Sequence, residues 1–510
     1  MNAITREDFS ATHYMGCSQP SDYFYARLAN KFYSSVKEEL DNYEGLAPDT
    51  SKRLAITLAC YVEDLVAGTG VWAAFSSIHQ RKYGKKLPFY NVRGTLFGYE
   101  EDRPSMQALQ FLIWYELCNG KPGTIINPNN PGIQMMALTL MSDLAMAYEE
   151  APETPARPEL LPEDKAGVPL FFQIRQMCQW LCDGCYLTRI HDRNNVTDDF
   201  DKFIGNLIES THNYDGEVKA YASEAFVPLN ARIGPLAIPA YEWLAEILDL
   251  YHESGEEPFI PILKEIKSLP YQTFRYVSLN KDEAEIENVL GEKFTLSAAT
   301  MPGEKFPSKV KAGDSAVMSI VRFGGKWSMN GLSLESLPPQ MFEETRKKVL
   351  AEKKMQKENY NRLYKAFGRR RIGVCASYDE YLQIAFAGKV PEVCTDVEIP
   401  EDIRDADNLL YFLKDNGMVS LLPDWGDCVK TDGNPYYDPQ EAAEEGRMLI
   451  LDHRMTSSEM RDYLIKKKLL PDAALNSMIS PEAGKELFQR NMRFINDFLD
   501  RDTMPFATNI

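Results

Sequence analysis

The sequence predicts an α+β multi-domain protein: a mainly helical N-terminal half, a small antiparallel β-barrel-like module in the middle, and an α/β C-terminal domain. Three observations lead there. Apolar residues recur at helical spacing up to about residue 270, the period switches to alternation near Tyr271, and helix-like and strand-like runs are mixed after Arg371. With roughly 150 residues per domain, 510 residues also leave room for about three domains.

Residues 1–150 read as a helical domain. Leu54, Ile56, Leu58, Tyr61, Val62 and Leu65 make one apolar helix face, and a second apolar run covers residues 106–117. Residues 151–169 form a Pro/Glu-rich linker, because Pro152, Pro155, Pro158, Pro162 and Pro169 interrupt any helix. A second helical domain spans residues 170–270, with amphipathic helices over 171–190 and 241–252. The β module, residues 271–337, is of SH3-like or OB-like size. Its strand-like runs are 274–279, 294–298, 316–323 and 326–332, and the last two flank Gly324-Gly325, a hairpin pair that tolerates positive φ at both positions.

Pro338-Pro339 closes the module, and residues 338–370 form a basic amphipathic helix. The rest, 371–510, is mixed α/β. Runs 408–413 and 418–422 are joined by Asp415-Asn416-Gly417, a hairpin turn, and terminal helices cover 441–450, 457–467 and 482–499.

Charge narrows the function classes. With 56 Lys+Arg and 75 Asp+Glu the net charge is -19, which opposes polyanion binding over the surface as a whole. The balance is uneven, however. Residues 346–371 hold eleven basic residues and two acidic ones, a local +9, so the remainder is -28. A basic helix beside a small barrel is a layout for gripping nucleic acid. Lys347, Lys353, Lys354, Lys357, Arg369, Arg370 and Arg371 would meet phosphates, and Trp327 would stack on a base. The competing account is a solvated helix face, or a helix docked on acidic residues of its own chain.

No apolar stretch of signal-peptide length follows the first 17 residues, and no run approaches the ~20 residues of a membrane span, so a cytoplasmic protein without membrane partners is expected. Nine cysteines, mostly in apolar settings, agree with a reducing compartment.

Cys178, Cys182 and Cys185 have the C-x3-C-x2-C spacing with which radical enzymes hold an iron-sulfur cluster, and His191 could complete a zinc set. Their helix-like surroundings favour buried thiols instead, so no metal or cofactor is expected. His252-Glu253 lacks the second histidine of H-E-x-x-H, and Gly68-Thr69-Gly70, read as lying inside a helical run, lacks the third glycine of a dinucleotide loop. Glu63 and Asp64 are carboxylates in an apolar helix. An enzyme site dispersed in sequence, for instance Glu63, Asp64 and His191, is the rival reading.

Four motifs, Tyr61-Val62-Glu63-Asp64, Gly68-x-Gly70-x-Trp72-x-x-Phe75, Leu87-Pro88-Phe89-Tyr90 and Phe111-Leu112-Ile113-Trp114-Tyr115, resemble the N-terminal pattern of an uncharacterised family of gut-bacterial proteins, known as a domain of unknown function. Asn434-Pro435-Tyr436-Tyr437 and residues 491–501 are similar to its C-terminal pattern. The resemblance implies a bacterial cytoplasmic protein and no catalytic residues. The expected function is therefore a non-enzymatic macromolecular binding or regulatory protein, with a protein or a nucleic acid as partner.

Overall fold

The computed structural model describes residues 4–41, 45–90, 99–121, 125–154, 168–198, 200, 216–251, 259–391, 398–451, 455–469 and 481–504. Two compact units are present. The first comprises residues 1–122, 130–346 and 500–510, and the second residues 123–129 and 347–499.

In the first unit, α1 (Arg6–Ser10) starts with a capping box: Thr5 Oγ1 accepts from the Asp8 amide, and the Asp8 carboxylate accepts from the Thr5 amide. It packs on α2 (Asp22–Asp41), which packs on α3 (Thr50–Ala67). The expected helical run across Gly68-Thr69-Gly70 is broken. Gly68 ends α3 at φ 60°, Gly70 precedes α4 (Val71–Tyr83) at φ 88°, and the two helices meet at 91°. Left-handed backbone at both positions suits glycine, so the pair makes a corner and not a helix interior.

Helix α5 (Met106–Gly120) is apolar all round. Phe111, Leu112, Ile113, Trp114 and Tyr115 are all inaccessible, as expected of a helix at the centre of a core. Rings lock the helices around it: Phe111 stacks on Phe75 of α4 at 4.8 Å, and Trp72 meets Tyr61 of α3 edge-on at 5.1 Å. Helices α6 (Pro131–Glu150), α7 (Val168–Asp183), α8 (Gly216–Asn230), α9 (Ala240–Tyr251) and α10 (Phe259–Lys264) complete the helical part. The expected linker lies largely outside the described residues, as do His252 and Cys394. No single described helix is long and apolar enough to cross a membrane.

The middle module is a mixed five-stranded sheet closed on itself in the order β1-β2-β3-β5-β4: β1 (Lys267–Leu279), β2 (Glu283–Asn288), β3 (Lys293–Ser297), β4 (Ser315–Phe323) and β5 (Lys326–Leu337). Strand β2 is absent from the runs that alternation picks out. The expected antiparallel pairing holds except between β3 and β5, which run parallel with Leu296 opposite Trp327. Alternating directions cannot close a ring of an odd number of strands, so one parallel pair is a geometric necessity. The β4–β5 hairpin turns on Gly324 and Gly325, both at positive φ as the sequence suggests. Phe274, Tyr276, Ile286, Leu296, Met318 and Ile320 fill the interior. Outside, β5 packs on α8. Gly331, at φ 79°, lacks the Cβ that would come within 2.6 Å of the Ala225 Cβ.

The first unit also receives a late segment. Arg232 and Thr503 form an antiparallel bridge, Asp502 accepts from the amides of His191 and Asp192, and Arg501 Nε donates to Asn119.

The expected basic helix is α11 (Pro339–Ala366), and its C-terminal end is anchored in the second unit by Leu363. That unit contains an antiparallel sheet, β6 (Ile372–Cys375), β7 (Leu409–Leu413) and β8 (Val419–Pro423), in that order. Every residue of β7 is buried because the sheet is covered on both faces. Leu410 and Phe412 join one cluster with Met460 and Leu464, whereas Leu409, Tyr411 and Leu413 join another with Leu363 and Phe367. Two short helices, α12 (Tyr378–Ala385) and α13 (Glu401–Arg404), lie between β6 and β7 in the chain. The helix expected over 441–450 is two short ones, α14 (Pro439–Glu444) and α15 (Gly446–Leu451). The last two expected helices are α16 (Ser458–Lys467) and α17 (Pro481–Leu499).

Candidate functional site

Glu63 and Asp64, adjacent on α3, line one small cavity of about 60 Å³ in the helical part of the first unit. They do different work. Asp64 accepts from the amides of Gly70, Val71 and Trp72 at 2.7, 3.1 and 2.7 Å and from the Tyr186 hydroxyl at 2.8 Å. Burial pushes its carboxyl up and these donors pull it part of the way back. Asp64 therefore fastens the start of α4 and has no lone pair directed at a substrate.

Glu63 meets a histidine, but not His191. Its carboxylate lies 3.0 and 3.1 Å from His13 Nε2, while His13 Nδ1 donates to the Cys17 carbonyl at 2.9 Å. Asp22 approaches the same ring, with Oδ1 3.7 Å from Nδ1. Burial alone would lower the His13 pKa; the Glu63 bond, the Cys17 carbonyl and the Asp22 charge outweigh it and raise the pKa to about 9. Both ring nitrogens face oxygen acceptors, so the proton of the His13–Glu63 pair resides on the imidazole. Among the described residues, His13, Asp22 and Glu63 are the set of three potential metal ligands whose donor atoms gather within 4.8 Å.

His191 sits elsewhere, with its Nε2 shielded from water and its ring edge-on to Tyr115 at 5.7 Å. Burial, followed by the charges of Arg189, Arg53 and Arg501, holds it well below the usual histidine range. The carboxylate beside Arg189 is tied down: Glu116 accepts from Thr57 at 2.6 Å and from Arg189 at 3.1 Å. The dispersed trio Glu63, Asp64 and His191 is thus not one site.

Cys178 and Cys182 lie on α7 and Cys185 just beyond it, all buried. Burial raises all three thiols, Cys185 to about 11, so thiolates are disfavoured. Their sulfurs do not gather as a metal set among the described residues.

Trp327 is half-buried on β5, edge-on to Phe294 of β3 at 5.2 Å. The two rings border an open cleft of about 410 Å³ that Lys293, Arg322, Lys326 and Glu283 also line. Glu283 lies 3.5 Å from Lys326, whereas no described carboxylate reaches ion-pair distance of Lys293 or Arg322. Over residues 267–337 there are nine basic and eight acidic residues, a balance of +1 in a chain of -19.

In the second unit the basic residues divide into two groups. Arg371 is structural: it donates to the Leu413 carbonyl, pairs with Glu459 and Asp415, and lies over the Phe412 ring. Arg370 is docked on Asp432. Lys354 has Glu358 one turn on, at 3.9 Å. Lys347, Lys353, Lys357 and Arg369 are exposed, with no described carboxylate at ion-pair distance. Sequence reasoning misses the cleft and His13; for the second, the available signal is a carboxylate inside an apolar helix.

The family described as "Protein of unknown function (DUF3843)" matches residues 4–273 and 300–501. No curated protein and no solved structure matches the chain.

Proposed function

The chain belongs to the DUF3843 family, and since that description carries no activity, we propose from the chain's own surfaces that it is a non-enzymatic binding protein that takes up single-stranded nucleic acid. The observation that carries this reading is the barrel cleft, where Trp327 and Phe294 stand beside Lys293 and Arg322. Aromatic faces accept any base, and cations with no carboxylate at ion-pair distance are open to phosphates. The ring order with its parallel β3–β5 pair is also that of OB-type barrels, which bind oligonucleotides or oligosaccharides on strands 2 and 3 and at the β4–β5 turn. That likeness is an analogy of fold and adds less than the residues do. Exposed Lys347, Lys353 and Lys357 on α11 offer phosphate contacts of their own, and Arg370 and Arg371 drop out because their own unit uses them.

We further propose that the protein works in the bacterial cytoplasm. Support comes from its cysteines: the eight described are all free and seven are buried.

Fluorescence anisotropy with labelled single-stranded RNA and DNA, at about 50 and 200 mM salt, tests the reading. Binding should weaken steeply with salt, and Trp327→Ala should weaken it about 5- to 150-fold, the worth of one stacked base. Replacing Lys347, Lys353 and Lys357 by Gln should flatten the salt dependence. Absence of binding at low salt, or binding indifferent to these changes, overturns the proposal.

A further inference from the structure

We propose that His13, Asp22 and Glu63 form a binding site for a single divalent transition-metal cation of the zinc class. The donors come from three places in the chain, the turn after α1, the first residue of α2 and the C-terminal part of α3, and still converge within 4.8 Å. One imidazole and two carboxylates are a donor set suited to zinc and its neighbours. The supporting contacts that a metal site needs are present. Asp22 Oδ2 accepts from the Gln19 amide at 2.8 Å and from Ser18 Oγ at 3.1 Å, and the His13 ring is oriented by the Cys17 carbonyl at Nδ1.

Two buried oxygens point to something not yet accounted for. Asp22 is inaccessible, and among the described residues its Oδ1, 3.7 Å from His13 Nδ1, accepts no hydrogen bond; Gln19, at 7% exposure, lines the cavity with an Oε1 that likewise accepts none. Buried polar atoms are nearly always paired, and a leftover pair of acceptors is a demand for positive charge or a donor. His13, Glu63 and Gln19 line the adjoining cavity, whose volume of about 60 Å³ has room for an ion and a water, since a water alone needs about 15 Å³. Arg6 Nε, itself shielded from water, lies 3.8 Å from Asp22 Oδ2 and offsets part of the carboxylate charge. Asp64 does not compete, because four donors saturate it. Cys60 and Cys185, on the same wall, are thiols that burial keeps protonated.

The test uses the untagged full chain, stripped with chelator and titrated with Zn²⁺ by calorimetry and with Co²⁺ by absorption. The expected result is one equivalent bound, with affinity reduced at least about tenfold in Glu63→Gln and in Asp22→Asn, since even outer-shell losses cost 10- to 100-fold. No binding by the wild type, or one equivalent with unchanged affinity in both variants, overturns the proposal. Should the variants fail to fold, the wild-type Co²⁺ spectrum decides: nitrogen and oxygen ligation supports the site, and a thiolate charge-transfer band would move the ion to cysteine and overturn it.

Discussion

His13 and Glu63 stand fifty residues apart in the chain and meet at 3.0 Å, almost out of contact with solvent. Truncating one partner of a buried ion pair strands the other's charge, so His13→Ala and Glu63→Ala should each destabilise the fold by about 3–5 kcal/mol. The double variant should cost less than the sum. Urea denaturation of all four proteins gives the coupling, and strict additivity would show that the pair does not act as one.

Acid should destabilise the protein through two other histidines. Burial lowers His79 to about 3 from an ordinary 6.5 and holds His191 well below the same value. The unfolded chain takes up both protons as pH falls through 6.5, while folded His79 stays neutral until near 3. Stability is therefore lost on the acid side of 6.5, at about 1.4 kcal/mol per pH unit for each ring. Urea midpoints measured at about pH 7 and 5.5 should fall accordingly, and His79→Gln with His191→Gln should flatten the slope.

At the barrel, Gly331→Ala should cost about 1–3 kcal/mol, because it adds a left-handed backbone penalty to a clash with Ala225. Adding Ala225→Gly removes the clash and leaves the backbone penalty, so thermal melts should recover part of the loss. Full recovery would mean that φ does not matter there.

Of the eight described cysteines only Cys17 is exposed. With Cys394 replaced by Ser, Ellman's reagent should titrate one thiol rapidly and the rest only in denaturant. Rapid reaction of Cys178, Cys182 or Cys185 would contradict their burial.

The coarse order of helices, small sheet and α/β region is legible because hydrophobic period survives in a single sequence. Strand β2 is not. It reads Glu-Ala-Glu-Ile-Glu-Asn, with only Ala284 and Ile286 as apolar residues turned inward, and its alternation is carried by glutamates that resemble a loop. Glu287 needs Arg275, twelve residues back, to be intelligible as a strand residue, and that pairing exists only once β1 and β2 are in register. The basic run is visible, but its division is not. Arg371 and Lys353 are alike in sequence and differ because one lies against Phe412 and Glu459 while the other faces water. Glu63 stands out as a carboxylate in an apolar helix; choosing His13 from six histidines requires the packing of α1, α2 and α3.

The segment 500–504 has a consequence for synthesis. The chain leaves the first unit at residue 346 and rejoins it at 500, after the whole second unit has been made. On a ribosome, the amides of His191 and Asp192 wait for Asp502, and Asn119 for Arg501, until more than three hundred later residues have been added. The second unit can complete its own contacts while the first is still open, an order in which the part begun earliest is finished last.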